Sequence, residues 1–119
     1  SITQVVVQEY NTILKFIDQM NEIQSNLDSI KKIEKIISVE KASGDEMKTD
    51  AKQRITEDIL LINDLLQKNK AIAKDLTNKY RASNAKIKEL EKTIDYLNKQ
   101  MAEKDADIAS LAMELGGSK

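Results

Sequence analysis

Residues 87–101 read IKELEKTIDYLNKQM. Ile87, Leu90, Ile94, Leu97 and Met101 recur at steps of three and four, the spacing of one face of an α-helix. The residues between them are mostly charged or polar, so the face is a narrow apolar seam on a wet cylinder. The seam extends in both directions without a slip. With Ile59 as heptad position a, the a positions are Ile59, Leu66, Ala73, Tyr80, Ile87, Ile94, Met101, Ile108 and Leu115. The d positions are Ile55, Ile62, Asn69, Leu76, Ser83, Leu90, Leu97, Lys104 and Leu111. Only Asn69, Ser83 and Lys104 are clearly polar among them. A heptad sustained this long predicts a coiled-coil helix over residues 45–115, roughly 100 Å long.

Upstream, a second stripe comprises Ile2, Val6, Tyr10, Ile13, Ile17, Met20, Ile23, Leu27, Ile30, Ile33 and Ile37. Its steps are again three and four, and it predicts a first helix over residues 2–42 of roughly 60 Å. Val5, Leu14, Phe16 and Ile36 widen it. Val5-Val6-Val7 is too short for a strand and lies in phase with the helical stripe. Between the two blocks stands Ser43-Gly44-Asp45-Glu46. Gly44 can take the left-handed conformation that closes a helix. Ser43 with Glu46 three residues on reads as a capping box, and Asp45 suits a helix N-terminus. The turn is placed at 43–46, and Gly116-Gly117 ends the second helix.

The expected fold is therefore all-α, one helical domain over 1–119. It is an antiparallel hairpin of a short helix 1 and a long helix 2. Counting outward from Gly44 puts Ile30 near Ile59, Ile23 near Leu66, Phe16 opposite Ala73, Glu9 near Tyr80 and Ile2 near Ile87. Leu60, Leu61, Leu65 and Ile72 give helix 2 more apolar surface than one partner covers, and helix 1 is equally wide. Beyond Ile87 the first helix has run out, so residues 87–115 overhang. Their seam (Ile87, Leu90, Ile94, Leu97, Met101, Ile108 and Leu111) then calls for another chain. A homodimer meets that need: two hairpins form a four-helix bundle, and the helix 2 ends continue as a two-stranded coil. Ile at a with Leu at d favours two parallel strands, while the e and g positions specify the pairing poorly and leave antiparallel pairing or a trimer open. Lys104 at a d position predicts fraying after Met101.

Composition agrees. The 119 residues include no Pro, three Gly and four aromatic side chains, while 33% are charged. That balance suits long amphipathic helices rather than a sandwich or an α/β domain. Nineteen basic against twenty acidic side chains leave a net charge of −1, without the positive field that nucleic acid needs. The lack of Cys and His removes disulfides, thiolate and imidazole metal ligands and imidazole general bases. No stretch reaches the ~20 apolar residues that span a bilayer. No signal peptide is visible, and the chain does not begin with Met, so a membrane association would come through an anchor outside it.

Candidate sites are few. Lys68, Lys70, Lys74, Lys79, Arg81, Lys86 and Lys88 form a basic stretch, but helical spacing disperses them among Asp75, Glu89 and Glu91, as on a solvated face. Glu103, Asp105 and Asp107 lack the Gly-bearing wrapped loop that calcium requires. Asn69 and Ser83 at d are the kind of polar residues that fix register and oligomer state. Tyr80 beside Glu9 fits a hydroxyl reaching a helix-edge carboxylate. There is no phosphate-binding Gly loop and no nucleophile elbow. No catalytic, cofactor-binding or metal-binding residue is assigned.

Leu66-Gln67-Lys68-Asn69-Lys70, Leu90-Glu91-Lys92-Thr93-Ile94-Asp95-Tyr96-Leu97 and Ala102-Glu103-Lys104-Asp105-Ala106-Asp107-Ile108 carry a resemblance. Together with the preceding Gly-Asp turn, they resemble the coiled-coil regions of uncharacterised bacterial cell-envelope proteins, lipoproteins among them. The resemblance covers over half the chain, through motifs generic to heptads. It implies a lipid-anchored protein facing the envelope or periplasm. The lipidated Cys of such proteins has no counterpart here. The expected role is a dimeric helical spacer without catalysis; the alternative is a binding module whose seam captures a partner helix.

Overall fold

In a computed structural model of the chain, which describes residues 1–42 and 49–117, three helices pack side by side. They are α1 (Ile2–Ala42), α2 (Thr49–Ala82) and α3 (Lys88–Ala112). A wider final turn, Met113–Gly117, follows α3 and contains Gly116 at φ 88°, a left-handed backbone that suits glycine. The rod measures 68 × 22 × 18 Å. The turn residues Ser43, Gly44, Asp45 and Glu46 lie outside the described residues.

Each helix carries one buried stripe. On α1 it runs through Phe16, Met20, Ile23, Leu27, Ile30 and Ile37. On α2 it is the heptad seam from Ile55 to Tyr80, and on α3 it is Leu90, Ile94, Leu97, Met101 and Ile108. The three stripes meet in a single continuous core. Asp50 in the first turn of α2, and Lys79 and Arg81 in its last, complement the helix dipole. Glu89 and Glu91 do the same at the start of α3.

The continuous helix expected over 45–115 is interrupted. The chain leaves the helix at Ser83 and re-enters it at Lys88. The order of lengths is reversed as well: α1, at 41 residues, is longer than α2 at 34 and α3 at 25. Within one chain the arrangement is a three-helix bundle, not a long-armed hairpin. Residues 87–115 do not overhang. α3 folds back, so Leu90, Ile94, Leu97, Met101 and Ile108 are buried and Ile87 and Leu111 pack against the core. The seam expected to need another chain is covered by α1 and α2.

The physical reason lies in the width of the α1 and α2 stripes. Two helices cannot keep both dry, and α3 supplies the third wall at once, over a connection of five residues. Burying five large side chains contributes ~1.5–3 kcal/mol each, against the much smaller cost of opening helical hydrogen bonds at Ser83 and Asn84, which are weak helix formers. Ser83 Oγ instead donates to Tyr80 C=O at 2.7 Å.

The α1–α2 register also departs from the symmetric count. Gln19 meets Asp75, Asn26 meets Asn69, Glu40 meets Arg54, and the Phe16 ring lies edge-on to Tyr80 at 5.8 Å. Phe16 therefore sits a heptad away from the Ala73 level expected for it. Nor does α3 fray after Met101: Ile108 is 5% exposed and the helix runs on to Ala112.

Because α3 is one wall of a shared core, Leu97→Ala should lower the unfolding free energy by about 2–4 kcal/mol. Urea unfolding followed by circular dichroism should give the same midpoint as unfolding followed through Tyr80 fluorescence in a chain carrying Tyr10→Phe and Tyr96→Phe. Separate midpoints, with α3 melting first, would mean that the third helix is not part of the cooperative core.

Candidate interaction surface

The described polar side chains first divide into those that position helices and those that face outward. Asn69 is fully buried at a d position. Its Nδ2 donates to Ile23 C=O at 3.1 Å, and its Oδ1 accepts from Asn26 Nδ2 at 2.8 Å. A one-turn slip between α1 and α2 would leave this amide unpaired in an apolar core, which costs more than the bonds contribute. Asn69 thus sets the α1–α2 register, the role expected of it. Ser83, its companion in that expectation, ends α2 instead.

Lys104, the other polar d residue, lies between α3 and α1. Its Nζ donates to Glu34 Oε1 at 2.8 Å and to Asp107 Oδ2 at 3.1 Å, with its side chain 14% exposed. Burial alone pushes the ammonium down, but the hydrogen bonds to Glu34 and Asp107 outweigh it and hold the group above its ordinary value of 10.5. Farther along, Lys41 pairs with Glu114 in the turn that follows α3, so α1 is tied to α3 and to its C-terminal turn at two levels. On the opposite flank, Lys70 pairs with Asp105 across α2 and α3 at 2.9 Å. At the other end, Asp75 accepts from Lys79 and from Gln19 Nε2, which together hold its carboxyl below the usual range.

These contacts absorb the sites singled out in the sequence. In the basic stretch, Lys70 and Lys79 are in ion pairs, and Lys86 Nζ reaches Arg81 C=O at 2.9 Å and lies over the Tyr80 ring. In the acidic cluster, Asp105 and Asp107 turn to different lysines rather than towards a common point. Among the described residues no three carboxylates gather as metal ligands, and no helix is long and apolar enough to cross a membrane. Tyr80 does not meet Glu9. Its hydroxyl accepts from Ile87 N–H at 2.8 Å and donates to Ile87 C=O at 3.0 Å, pinning the start of α3 to the end of α2.

What remains is the N-terminal part of α1. Phe16 is level with Tyr80, and Tyr80 with Ile87, so α2 ends and α3 begins about where α1 has reached Phe16. The preceding turns, about 20 Å of helix, extend past the bundle. Ile2 is 84% exposed, and Val5, Val6, Val7, Tyr10 and Leu14 are exposed too. Over the first fourteen residues Glu9 is the only charged side chain, in a protein that is one-third charged. At its base lies an open groove of about 740 Å³ between α1 and the end of α2, lined by Thr12, Lys15, Phe16, Gln19, Lys79 and Ser83. A contiguous apolar stripe of this kind is the mark of an association surface. Sequence reasoning placed the unpaired seam on the wrong helix. The available signal was Ser83-Asn84, two weak helix formers interrupting the heptad at its only serine d position.

Lys104→Ala should lower stability by about 1–3 kcal/mol at neutral pH, by stranding Glu34 at the core edge. The pair Glu34→Leu with Lys104→Leu should be at least as stable as the parent. Because the folded value of Lys104 is raised, its contribution is complete below the ordinary lysine value and fades as pH climbs through the raised one. Urea midpoints between pH 7 and 12 check both: the alkaline loss should be smaller in the double variant than in the parent, and an equal loss in the two would refute the assignment.

Set against protein-family models, curated proteins and solved structures, the chain matches none of them.

Proposed function

We propose that this protein is a structural helical spacer: a stiff rod that holds attached elements at a set distance, without catalysis of its own. The observation that carries this reading is the way its polar groups are spent. Asn69, Lys104, Lys70, Lys41 and Arg54 each join two different helices, at levels distributed along the rod. They act as cross-braces against sliding rather than as a convergent reactive set. The exposed α1 extension supports association through helix–helix packing as part of the same role. The setting that goes with this reading is the bacterial cell envelope, as the heptad resemblance implies.

A spacer must be stiff through its unsupported end. Spin labels at Thr3 and Ser38, measured by pulsed electron resonance at low protein concentration, should give one narrow distance near ~52 Å, the helical rise between them. A broad or collapsed distribution would remove the spacer reading.

A further inference from the structure

Three features at the α2–α3 turn belong together. The first is phase. Leu76, Tyr80, Ser83, Ile87 and Leu90 keep the three–four spacing straight through residues 83–87, although a connection between two packed helices has no need to preserve it. The second is the chemistry of the turn. It contains no Gly or Pro, and no non-glycine residue among those described has a positive φ, so Ser83–Ile87 can all become helical without strain. The N-cap of α3 is Ile87, at φ −108° and ψ 116°, with no side-chain cap. Isoleucine is among the poorest residues for that position, and the turn is held instead by the Tyr80 hydroxyl on Ile87, with Ser83 Oγ and Lys86 Nζ on the last carbonyls of α2.

The third feature is the α1 extension. In the α1–α2 register set by Gln19–Asp75 and Asn26–Asn69, a helix continuing straight from α2 runs beside it. Ile87 and Leu90 then come level with Val5, Val6 and Val7. The stripe left bare on α1 is the one a straight α2–α3 helix covers.

We infer that α3 exchanges between two copies of this chain. The 83–87 turn straightens, α2 and α3 become one helix, its 81–93 stretch covers the α1 extension, and α3 seats in the α1–α2 groove of the second copy. The inference rests on the helix-association part of the proposed role and names its partner. α3 keeps every contact it has in the closed chain, so exchange costs only association and turn straightening. With contacts equal, the closed form holds until protein concentration approaches the effective concentration of a short connection, on the order of millimolar. Covering the extension and completing the helical hydrogen bonds lowers that threshold, so dimers belong at hundreds of micromolar.

The chain lacks Cys, which makes the test direct. A full-length Lys70→Cys chain and a full-length Asp105→Cys chain, mixed at high concentration and treated with a bifunctional thiol reagent of ~8–10 Å span, about the reach of the ion pair it replaces, should form a covalent heterodimer bridged 70 to 105. Those positions face each other only when α3 of one copy lies on α2 of the other. Light scattering should show a dimer fraction rising with concentration. Tyr80→Phe, which removes both bonds to Ile87, should tighten dimerisation about tenfold. Ala85→Pro, which bars a continuous helix, should abolish the bridge while leaving helicity intact. If the proline variant loses helicity, the response of Tyr80→Phe decides alone. A dimer without the 70–105 bridge would overturn exchange and leave the spacer reading standing. A chain that stays monomeric to millimolar concentration would overturn exchange as well, and the α1 distance measurement would still judge the spacer independently.

Discussion

Everything in this protein follows from a mismatch between the apolar width of a helix and the cover that one neighbour can give it. α1 and α2 each bury a central stripe and carry further aliphatic side chains on its flanks, among them Ile33, Leu65 and Ile72, which are only partly buried even in the bundle. A hairpin of these two helices would leave a trough of exposed hydrocarbon along its length. A third amphipathic helix removes the trough, and α3 is long enough to line it from the Tyr80 level to Leu111. The bundle is thus the smallest assembly that a single chain of this composition can make dry.

Hydrophobic burial chooses the bundle but not the alignment of its parts, because aliphatic seams with a heptad repeat fit nearly as well one turn along. Alignment comes from the few polar groups that cannot tolerate a slip. Asn69, with Asn26 and the Ile23 carbonyl, fixes α2 on α1; Lys104 with Glu34 fixes α3 on α1; Lys70 with Asp105 fixes α3 on α2. Three helices need three pairwise registers, and each has its own lock. Lys104 illustrates the trade. Leucine at that d position adds hydrocarbon but accepts several alignments, whereas an ammonium between two carboxylates accepts one.

Much of this was legible in the sequence. Helical class follows from periodicity and from the absence of Pro, the buried stripes from heptad arithmetic, and the register role of Asn69 from a lone amide on an aliphatic seam. Two things were not legible. A symmetric count from Gly44 misplaced Phe16 relative to α2, because register depends on the Asn26–Asn69 bond and the Phe16–Tyr80 contact, which are visible only when both helices are in place. The break at Ser83 was hidden for a different reason. Periodicity reports which residues share a face, and a chain that reverses over five residues can retain that phase. Ser83 and Asn84 are weak helix formers, but a single weak pair costs too little to outvote a seam of seventeen other positions.

That ambiguity is physical as well as analytical. Whether α3 packs on its own α1 and α2 or on those of a neighbour, the same side chains meet the same side chains, so their burial cannot decide between the two. The decision falls to terms outside the core: the entropy gained by keeping three helices in one chain, the bonds of Tyr80 that hold the turn closed, and the apolar flank of α1 that only a straight helix covers. Each is small beside the core, and they oppose one another. A sequence in which heptad phase runs unbroken through a turn therefore specifies its contacts strongly and its connectivity weakly. In this protein the bonds of the 83–87 turn, made by the Tyr80 hydroxyl, Ser83 Oγ and Lys86 Nζ, stand on the closed side of that balance.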